Sequence, residues 1–436
     1  MAGSGDRDDE PYLVVSSDSH AGAPWAEYRP YLERRHGAAF DAWLQKMRTQ
    51  EQLVGGTRVD IRGEAIRASF AAEEAVREGG TTGAWDPAIR AREMDRDGVA
   101  GEVVFPDGLH QNDVPFGAMG PLDPAANAYP YELRLAGSRS YNRWLADLCA
   151  ANPGRHGGIA LVPFDDPPVA VGEIEVAKAA GLFGGILLPG LPLSTTDPTW
   201  LLHHPRYAPI WAACEALEMP VHIHSTGSGI DYGELPGSRW IHTTEAYWAS
   251  RRAVWQLMWS GVLQRHPGLK VVMTEVMGAW APFELQYWEY LYDARNPELI
   301  RETLPLRPGQ YWDRQCFVGS SPPAGRAEIE ARHLIGVDKL MWGSDYPHPD
   351  GAWPRSRQRI SEMFAGVPIP EVRLILGENA LKVYPFERAL LRRIADRVGI
   401  SPAAIGDTPA AWEQPHQLAY VTGVTTVAPQ LGKEPL

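Results

Sequence analysis

The strongest constraint on the fold is an alternation along the chain between short apolar runs and longer stretches with helical periodicity. Each run is rich in Val, Ile and Leu and has turn residues at its ends, the pattern of a strand buried on both faces. The runs occupy residues 12–17, 101–105, 158–163, 184–189, 220–225, 269–275, 315–320 and 339–345. Eight strand–helix units predict an α/β fold with a parallel sheet, and eight is the number that closes a (β/α)8 barrel. An open doubly wound sheet is the alternative fold.

The same pattern predicts one large domain in a chain of 436 residues. Residues 1–11 form an acidic tail, 12–395 the barrel, and 396–436 an extended arm rich in Pro, Ala and Gly. Residues 25–85 interrupt the alternation after the first strand. An insertion there falls on the C-terminal face of a barrel, where active sites are built, so we expect it to form a lid or a subunit contact.

Composition narrows the classes of partner. The chain has 41 Lys and Arg against 54 Asp and Glu, a net charge of −13, which argues against nucleic-acid binding. Its three cysteines are widely separated and do not form a disulfide framework. The polar start has no signal-peptide pattern, and the apolar runs are too short to cross a membrane. We therefore expect a cytoplasmic protein that acts on a small molecule.

Polar side chains concentrate where the predicted strands end. In a barrel these positions face the active site, and residues two apart in a strand share a face. The first, fifth, sixth and eighth runs end with Asp18, His20, His222, His224, Glu275, Asp345 and His348. Like charges gathered in a barrel mouth are costly unless a cation compensates them. Mixed nitrogen and oxygen ligands suit Zn, Fe or Mn, so the pattern predicts a divalent metal site.

Each of these residues also has a purely structural interpretation. Asp18 also fits a residue that caps the chain after it, His222 fits a histidine buried in the core, and Asp345 fits a turn residue. Glu275 is able to bind backbone amides at the start of the next helix. The joint pattern favours a site, because random strand ends are mostly neutral.

Several motifs together resemble the amidohydrolase superfamily, in particular its branch related to aminocarboxymuconate-semialdehyde decarboxylase. They are DSH at 18–20, PVHIH at 220–224, LKVVMTE at 269–275 with GAW at 278–280, GSDYPH at 343–348 and GENALKVY at 377–384. The resemblance covers residues 12–390 and implies a distorted TIM barrel, a divalent metal at its C-terminal face and a homodimer. It assigns Asp18, His20, His224 and Asp345 as metal ligands, with Asp345 also handling the proton.

Two residues depart from the pattern of that branch. Asp18 stands where the family usually has the first histidine of a His-x-His pair. Glu275 stands where the decarboxylases carry a sixth-strand histidine, used near the substrate carboxylate. An anion there would repel a carboxylate substrate, whereas it is well suited to binding a cation. We therefore add Glu275 to the predicted ligands and expect one or two metal ions per chain.

These departures favour metal-dependent hydrolysis of an acyl bond. A cation would activate water, Asp345 would accept its proton, and Glu275 would hold a metal or orient the water, with His222 as a further catalytic candidate. Ester, thioester and amide all remain open, and the resemblance implies relatives recruited to cleave thioesters in secondary metabolism. The alternative is non-oxidative decarboxylation of an aromatic or unsaturated acid. A third possibility is a catalytically silent barrel that acts as a binding subunit.

Residues after other strands are candidates for substrate binding. His110 and Asn112 follow the second strand, although a plain polar loop explains them equally well. Trp240, Trp280 and His348 follow the fifth, sixth and eighth strands, and aromatic side chains there line pockets for apolar ligands. The sequence therefore predicts a bulky, largely apolar substrate.

Overall fold

A computed structural model describes residues 9–54, 80–106, 113–225, 229–233, 235–294, 297–321, 325–348 and 351–406. Eight parallel strands follow one another around a single sheet in the order of the chain. They are β1 (Val15–Ala21), β2 (Gly101–Pro106), β3 (His156–Leu161), β4 (Gly185–Leu187), β5 (Val221–Ile223), β6 (Val271–Thr274), β7 (Cys316–Ser320) and β8 (Leu340–Trp342). The predicted (β/α)8 barrel is confirmed.

Helices fill the connections between the strands. Those of the described residues are α1 (Gly37–Val54), α2 (Pro87–Asp97), α3 (Tyr131–Ala150), α4 (Pro167–Ala179), α5 (Ala208–Ala216), α6 (Ser238–Ser250), α7 (Arg252–Trp259), α8 (Val262–Arg265), α9 (Ala281–Ala294), α10 (Pro297–Thr303), α11 (Pro308–Gln315), α12 (Arg326–Glu330), α13 (Arg332–Ile335), α14 (Ser356–Phe364), α15 (Ile369–Arg373), α16 (Asn379–Val383) and α17 (Arg388–Val398). Helix α2 begins after Asp86, whose side chain caps it by accepting hydrogen bonds from the amides of Ala88 and Ile89.

The barrel closes between β1 and the chain that follows β8. The amide of Asp345 donates to the carbonyl of Asp18 at 2.9 Å, and the amide of His20 donates to the carbonyl of Tyr346 at 2.6 Å. These bonds lie beyond the last residue of β8, Trp342, so closure occurs at the C-terminal end of the barrel. The seam therefore joins two segments that carry predicted site residues.

The strand ends differ slightly from the predicted ones. Strand β1 continues to Ala21, so Asp18 and His20 lie within it, while β5, β6 and β8 stop before His224, Glu275 and Asp345. All the strand residues are buried, as expected for a sheet covered on both faces.

The predicted insertion contains two short 3₁₀ helices, Trp25–Tyr31 and Arg34–His36, followed by α1, and a further 3₁₀ helix at Gly80–Ala84. Residues 55–79 of the insertion and 407–436 of the predicted arm lie outside the described residues. Among the described residues, no helix is both long and apolar enough to cross a membrane.

Candidate active site

Carboxylates and imidazoles from four strands meet at the C-terminal end of the barrel. Two groups of four ligand atoms, each within 4.8 Å of one another, share His20 and Glu275. The first group adds Asp18 and His224, and the second adds Asp345 and His348. The structure therefore brings all five predicted metal ligands together, with His348 beside them.

The β1 and β8 side of the cluster is closely packed. The Nε2 atom of His20 lies 3.3 Å from Oδ1 of Asp18 and 3.1 Å from Oδ1 of Asp345. The ring of His348 stacks on that of His20 at 4.0 Å, and its Nδ1 lies 2.8 Å from Oδ1 of Asp345. One imidazole nitrogen thus faces two carboxylates that the barrel seam holds together.

The β5 and β6 side completes the cluster. The Nε2 atom of His224 lies 3.2 Å from Oε2 of Glu275 and 3.5 Å from Oδ1 of Asp18. The Ser225 hydroxyl donates to Oε1 of Glu275 at 3.0 Å. The Phe105 ring packs 4.7 Å from that of His224, so an apolar wall from β2 stands against this side.

The backbone is strained at two of the candidate ligands. Glu275 has a φ of 52° and Asp345 a φ of 55°. Few residues other than glycine adopt this region, and such strain collects at functional sites where the surroundings enforce it. Both residues come directly after short strands, so the strained turn directs their carboxylates into the barrel mouth.

Neighbouring groups orient the ligand atoms. The Nδ1 atom of His20 lies 3.0 Å from the carbonyl oxygen of Pro106, a bond that requires the proton on Nδ1 and leaves the lone pair on Nε2. The Ser321 hydroxyl donates to Oδ2 of Asp18 at 2.5 Å, which leaves Oδ1 facing the cluster. Both arrangements are typical of the groups behind metal ligands.

Electrostatics in the cluster favour bound cations. Burial would raise the pKa of Asp18, but hydrogen bonds and charges of His20 and His224 hold it well below its usual value. Burial would lower the pKa of His20, but Asp18 and Asp345 hold it well above its usual value. Burial raises the pKa of Glu275 to about 8, and the charges of Asp345 and Asp18 add to this rise. The carboxylates therefore create a strongly negative field that attracts protons and metal ions alike.

The donor set fits a divalent metal ion. Four atoms at its centre are buried, contact only one another and other members of the cluster, and have no hydrogen-bond partner elsewhere among the described residues: Asp18 Oδ1, His20 Nε2, His224 Nε2 and Asp345 Oδ1. Leaving such atoms unsatisfied costs about 1–3 kcal/mol each, so their convergence calls for a ligand. Mixed imidazole and carboxylate donors suit Mn, Fe or Zn.

The predicted catalytic residue His222 lies outside both groups of ligand atoms. Its Nε2 is 3.0 Å from the carbonyl oxygen of Gly184, and its ring stacks on Tyr384. Burial lowers its pKa to about 3, so the ring is neutral. The structure thus gives His222 the surroundings of a core histidine.

The predicted substrate-binding residues are scattered. Trp240 is 58% exposed and lines an open surface cavity of about 580 Å³ on α6. The indole N–H of Trp280 donates to the carbonyl of Val276, and its ring packs edge-on against Trp312 of α11. Of this set, His348 alone lies in the ligand cluster, while His110 and Asn112 lie outside the described residues.

Sequence reasoning missed the residues that support the ligands. Ser321 comes directly after β7, and Phe105 lies in β2 with its ring tilted against those of His20 and His224. Carboxylates and imidazoles alone defined the predicted site, so a serine at a strand end was not part of it. Hydroxyls at strand ends are the signal that would have identified Ser321.

A model of the amidohydrolase family matches residues 60–386. The chain therefore belongs to this family and is an enzyme of the amidohydrolase superfamily. It is 29% identical over 281 residues to a gamma-resorcylate decarboxylase of Rhodococcus jostii, covering 61% of this chain and 82% of the relative. It is 27% identical over 268 residues to the 2-amino-3-carboxymuconate-6-semialdehyde decarboxylase of Dictyostelium discoideum, covering 61% and 68%.

Among solved structures, the fold matches a 5-carboxyvanillate decarboxylase from Novosphingobium aromaticivorans, complexed with manganese and 4-hydroxy-3-methoxy-5-nitrobenzoic acid. The TM-score is 0.58 at 17% identity, covering 85% of this chain and 96% of the other. Because the identity is low, this likeness supports the fold alone.

The main functional prediction, hydrolysis of an acyl bond, is wrong. The relatives with clear sequence similarity are decarboxylases, which supports the alternative instead. The prediction rested on repulsion between Glu275 and a carboxylate substrate. In the structure Glu275 is not an isolated, permanently ionised carboxylate, because burial raises its pKa to about 8 and Nε2 of His224 lies 3.2 Å from it. The repulsion was therefore overestimated.

Proposed function

We propose that this enzyme is a metal-dependent, non-oxidative decarboxylase of an aromatic or unsaturated carboxylic acid. The observation that carries the proposal is the decarboxylase activity named for its relatives, among them those of Rhodococcus jostii and Dictyostelium discoideum. The buried cluster supports it, because its donors suit a divalent cation. Manganese is the first candidate, since it is bound in the 5-carboxyvanillate decarboxylase of the same fold.

The proposed ligands are Asp18, His20, His224 and Asp345, with Glu275 as an additional donor. A divalent cation held by these residues would supply a positive charge that attracts an anionic substrate and would stabilise the negative charge that develops as carbon dioxide leaves. The protein's own contribution is to fix the donor atoms and to keep water away from them. Phe105 serves the second purpose, because its ring lies against those of His20 and His224.

Asp345 is the proposed proton donor to carbon. In the reaction the bond between the ring carbon and the carboxylate breaks, carbon dioxide leaves, and the carbon takes one proton. The Nδ1 atom of His348 lies 2.8 Å from Oδ1 of Asp345, so His348 is placed to return a proton to that carboxylate. Direct hydrogen-bond distance is the geometric requirement for such a transfer.

The test is a decarboxylation assay with the manganese-loaded protein. 2,6-Dihydroxybenzoate and 5-carboxyvanillate serve as probes, and release of carbon dioxide is measured together with the decarboxylated product. In heavy water, we expect one deuterium at the vacated carbon. Asp345→Asn should lose most of the turnover even when enough Mn²⁺ is added to saturate the metal site. A panel of ester and thioester substrates provides the comparison.

Acyl cleavage without carbon dioxide release would contradict the proposal. A failure of both probes would restrict the substrate class, and a wider set of hydroxybenzoates and unsaturated diacids would then be needed before the reaction type is rejected. The homodimer implied by the resemblance is a separate proposal, which sedimentation velocity tests.

A further inference from the structure

Arg90 lies directly behind the proposed metal ligands. It belongs to α2 and its side chain is fully buried. The Phe105 ring of β2 contacts the imidazoles inside the barrel, so Glu102, three residues earlier in the strand, faces the helices outside. The Nε atom of Arg90 donates to Oε1 of Glu102 at 2.5 Å. Arg90 is therefore placed between the barrel wall and the outer helices.

The rest of the guanidinium binds the strand that carries two ligands. Nη1 donates to the carbonyl of His20 at 2.8 Å and to that of Gly83 at 3.1 Å. Nη2 donates to the Ser19 hydroxyl at 3.0 Å, and that hydroxyl donates to the carbonyl of Val103. All three guanidinium nitrogens thus donate hydrogen bonds. Nη1 binds the main chain of the proposed ligand His20, and Nη2 binds the side chain of Ser19, the residue before it.

Arg90 also reaches the other side of the barrel seam. Its guanidinium carbon lies 5.1 Å from the centre of the Tyr346 ring, a cation–π contact. Tyr346 follows Asp345, whose φ of 55° is strained, and its carbonyl accepts the amide hydrogen of His20. A Cβ added at Gly83 would lie 2.2 Å from the Tyr346 hydroxyl and 2.9 Å from Cα of Arg90. The contact between these three residues is therefore tight.

The charge of Arg90 is compensated where it is buried. Glu102 also contacts Nδ1 of His156 at 2.8 Å. Burial would raise the pKa of Glu102, but Arg90 and His156 lower it to about 2, so the carboxylate stays ionised. Removing one partner of a buried ion pair leaves an uncompensated charge and is strongly destabilising. Arg90 and Glu102 are therefore stable in this position only together.

We propose that Arg90 is a positioning residue that fixes His20 and Asp345 for metal binding from outside the barrel. It acts through the His20 carbonyl on one side of the seam and through the Tyr346 ring on the other. The inference rests on the metal centre of the proposed function, and does not depend on which reaction that centre performs.

Arg155 provides a matched comparison. It is also buried, and it donates to the carbonyls of Ala100 and Val99 at 3.0 and 2.9 Å. These contacts lie before the first residue of β2, at the end of the barrel opposite the ligands. Arg155 is therefore a buried arginine like Arg90, but it lies far from the ligands. A comparison of variants at the two positions distinguishes a general effect on stability from a specific effect on the metal ligands.

The experiment measures the affinity of each folded variant for Mn²⁺ alone, by electron paramagnetic resonance of the free ion, together with its melting temperature. Arg90→Lys keeps the positive charge but loses the planar guanidinium group and its several N–H donors. We expect about 10- to 100-fold weaker Mn²⁺ binding, as for other groups behind metal ligands. Gly83→Ala, which separates Tyr346 from Arg90, should weaken binding in the same direction. Arg155→Lys should lower the melting temperature and leave the Mn²⁺ affinity within about twofold, since its contacts lie far from the ligand atoms.

If Arg90→Lys does not fold, the double variant Arg90→Met with Glu102→Gln removes both charges and takes its place. Unchanged Mn²⁺ affinity in the folded Arg90 and Gly83 variants would overturn the proposal, as would an equal loss in Arg155→Lys. Because the readout is metal binding, acyl cleavage without carbon dioxide release in the wild type would reject the proposed function but would not affect the outcome of this test.

Discussion

The two halves of the ligand cluster are built differently. On the β1 and β8 side, Asp18, His20 and Asp345 have side chains at most 3% exposed, and backbone hydrogen bonds across the seam hold them. On the β5 and β6 side, the side chains of His224 and Glu275 are 11% and 14% exposed. The first half is enclosed by the barrel itself, and the second borders the mouth.

The difference follows from the length of β1 and from the seam, because Asp345 also lies beyond a three-residue strand but its amide donates to the carbonyl of Asp18. Strand β1 has seven residues and includes its ligands, whereas β5 and β6 have three and four residues and stop before theirs. A ligand inside a strand is fixed by the hydrogen-bond ladder, and a ligand just beyond it depends on loop contacts. We infer that the β1 and β8 half determines where a cation binds and that the other half faces the substrate.

The largest effect is expected from removing an imidazole. His20 belongs to both groups of ligand atoms and His224 to one. His20→Ala should therefore weaken Mn²⁺ binding by roughly 10³-fold or more, well beyond the 10- to 100-fold cost of losing a group behind a ligand, and His224→Ala should have a smaller effect. Metal content by mass spectrometry and Mn²⁺ titration check both.

His222→Gln is the control for these two variants, because His222 is a buried histidine of β5 that stands outside both groups. It should keep its metal. An equal loss of metal in His20→Ala and His224→Ala would remove the distinction between the halves.

The next largest effect is expected from Glu275→Gln, which keeps the shape and removes the charge. If Glu275 helps to hold the cation, Mn²⁺ affinity should fall about tenfold or more, because a carboxylate ligand must be ionised to bind a metal. If the main effect of its charge is to repel the substrate carboxylate, KM should fall instead while metal affinity stays unchanged. Titration and steady-state kinetics on the same preparation separate the two results.

Smaller effects are expected from the two serines that hydrogen-bond to ligand carboxylates. Ser321 donates to Asp18 at 2.5 Å in the enclosed half, and Ser225 donates to Glu275 at 3.0 Å in the half that borders the mouth. Ser321→Ala should weaken Mn²⁺ binding about tenfold, and Ser225→Ala only about threefold, because the Glu275 carboxylate borders the mouth and regains solvent contacts more easily than Asp18 does. A larger loss in Ser225→Ala would reverse the assignment of the two halves.

The sequence was sufficient for the barrel and for the ligand cluster. Buried runs at regular intervals leave few topologies, and strand ends collect at one face, so Asp18, His20, His224, Glu275 and Asp345 were brought together by pattern alone. Their roles stay predictions until metal binding is measured.

The sequence did not show which way each side chain points or which residues away from the strand ends contact the ligands. His222 and His224 have the same residue type and share a strand-end pattern, but one bonds to the Gly184 carbonyl and the other faces the cluster. Arg90 lies in an ordinary amphipathic helix, and only the fold shows that it reaches the His20 carbonyl. The error about Glu275 had the same origin, because its charge was judged without the burial and the His224 contact that the fold gives it.

The smallest effect on the site is expected from Asp97, at the end of the helix that carries Arg90. Burial raises the pKa of Asp97 to about 7, although the Ser356 hydroxyl and amide and the Arg357 charge oppose this rise. Between about pH 4 and pH 7 the folded protein keeps a proton that the unfolded chain releases, so the free energy of unfolding should fall as pH rises through this window.

Asp97→Asn should abolish that fall, and at pH 8 the variant should be more stable than the wild type by a few kcal/mol. Urea unfolding at pH 4.5, 6 and 7.5 measures the slope, and Glu362→Gln, an exposed change on α14, controls for the loss of one charge. Mn²⁺ affinity should stay unchanged, because Asp97 contacts α14 through Ser356 and not the residues that hold the ligands. A change in affinity with the pH slope intact would show that α2 transmits strain to the enclosed half, and Arg90 would then have to be tested as part of the whole helix.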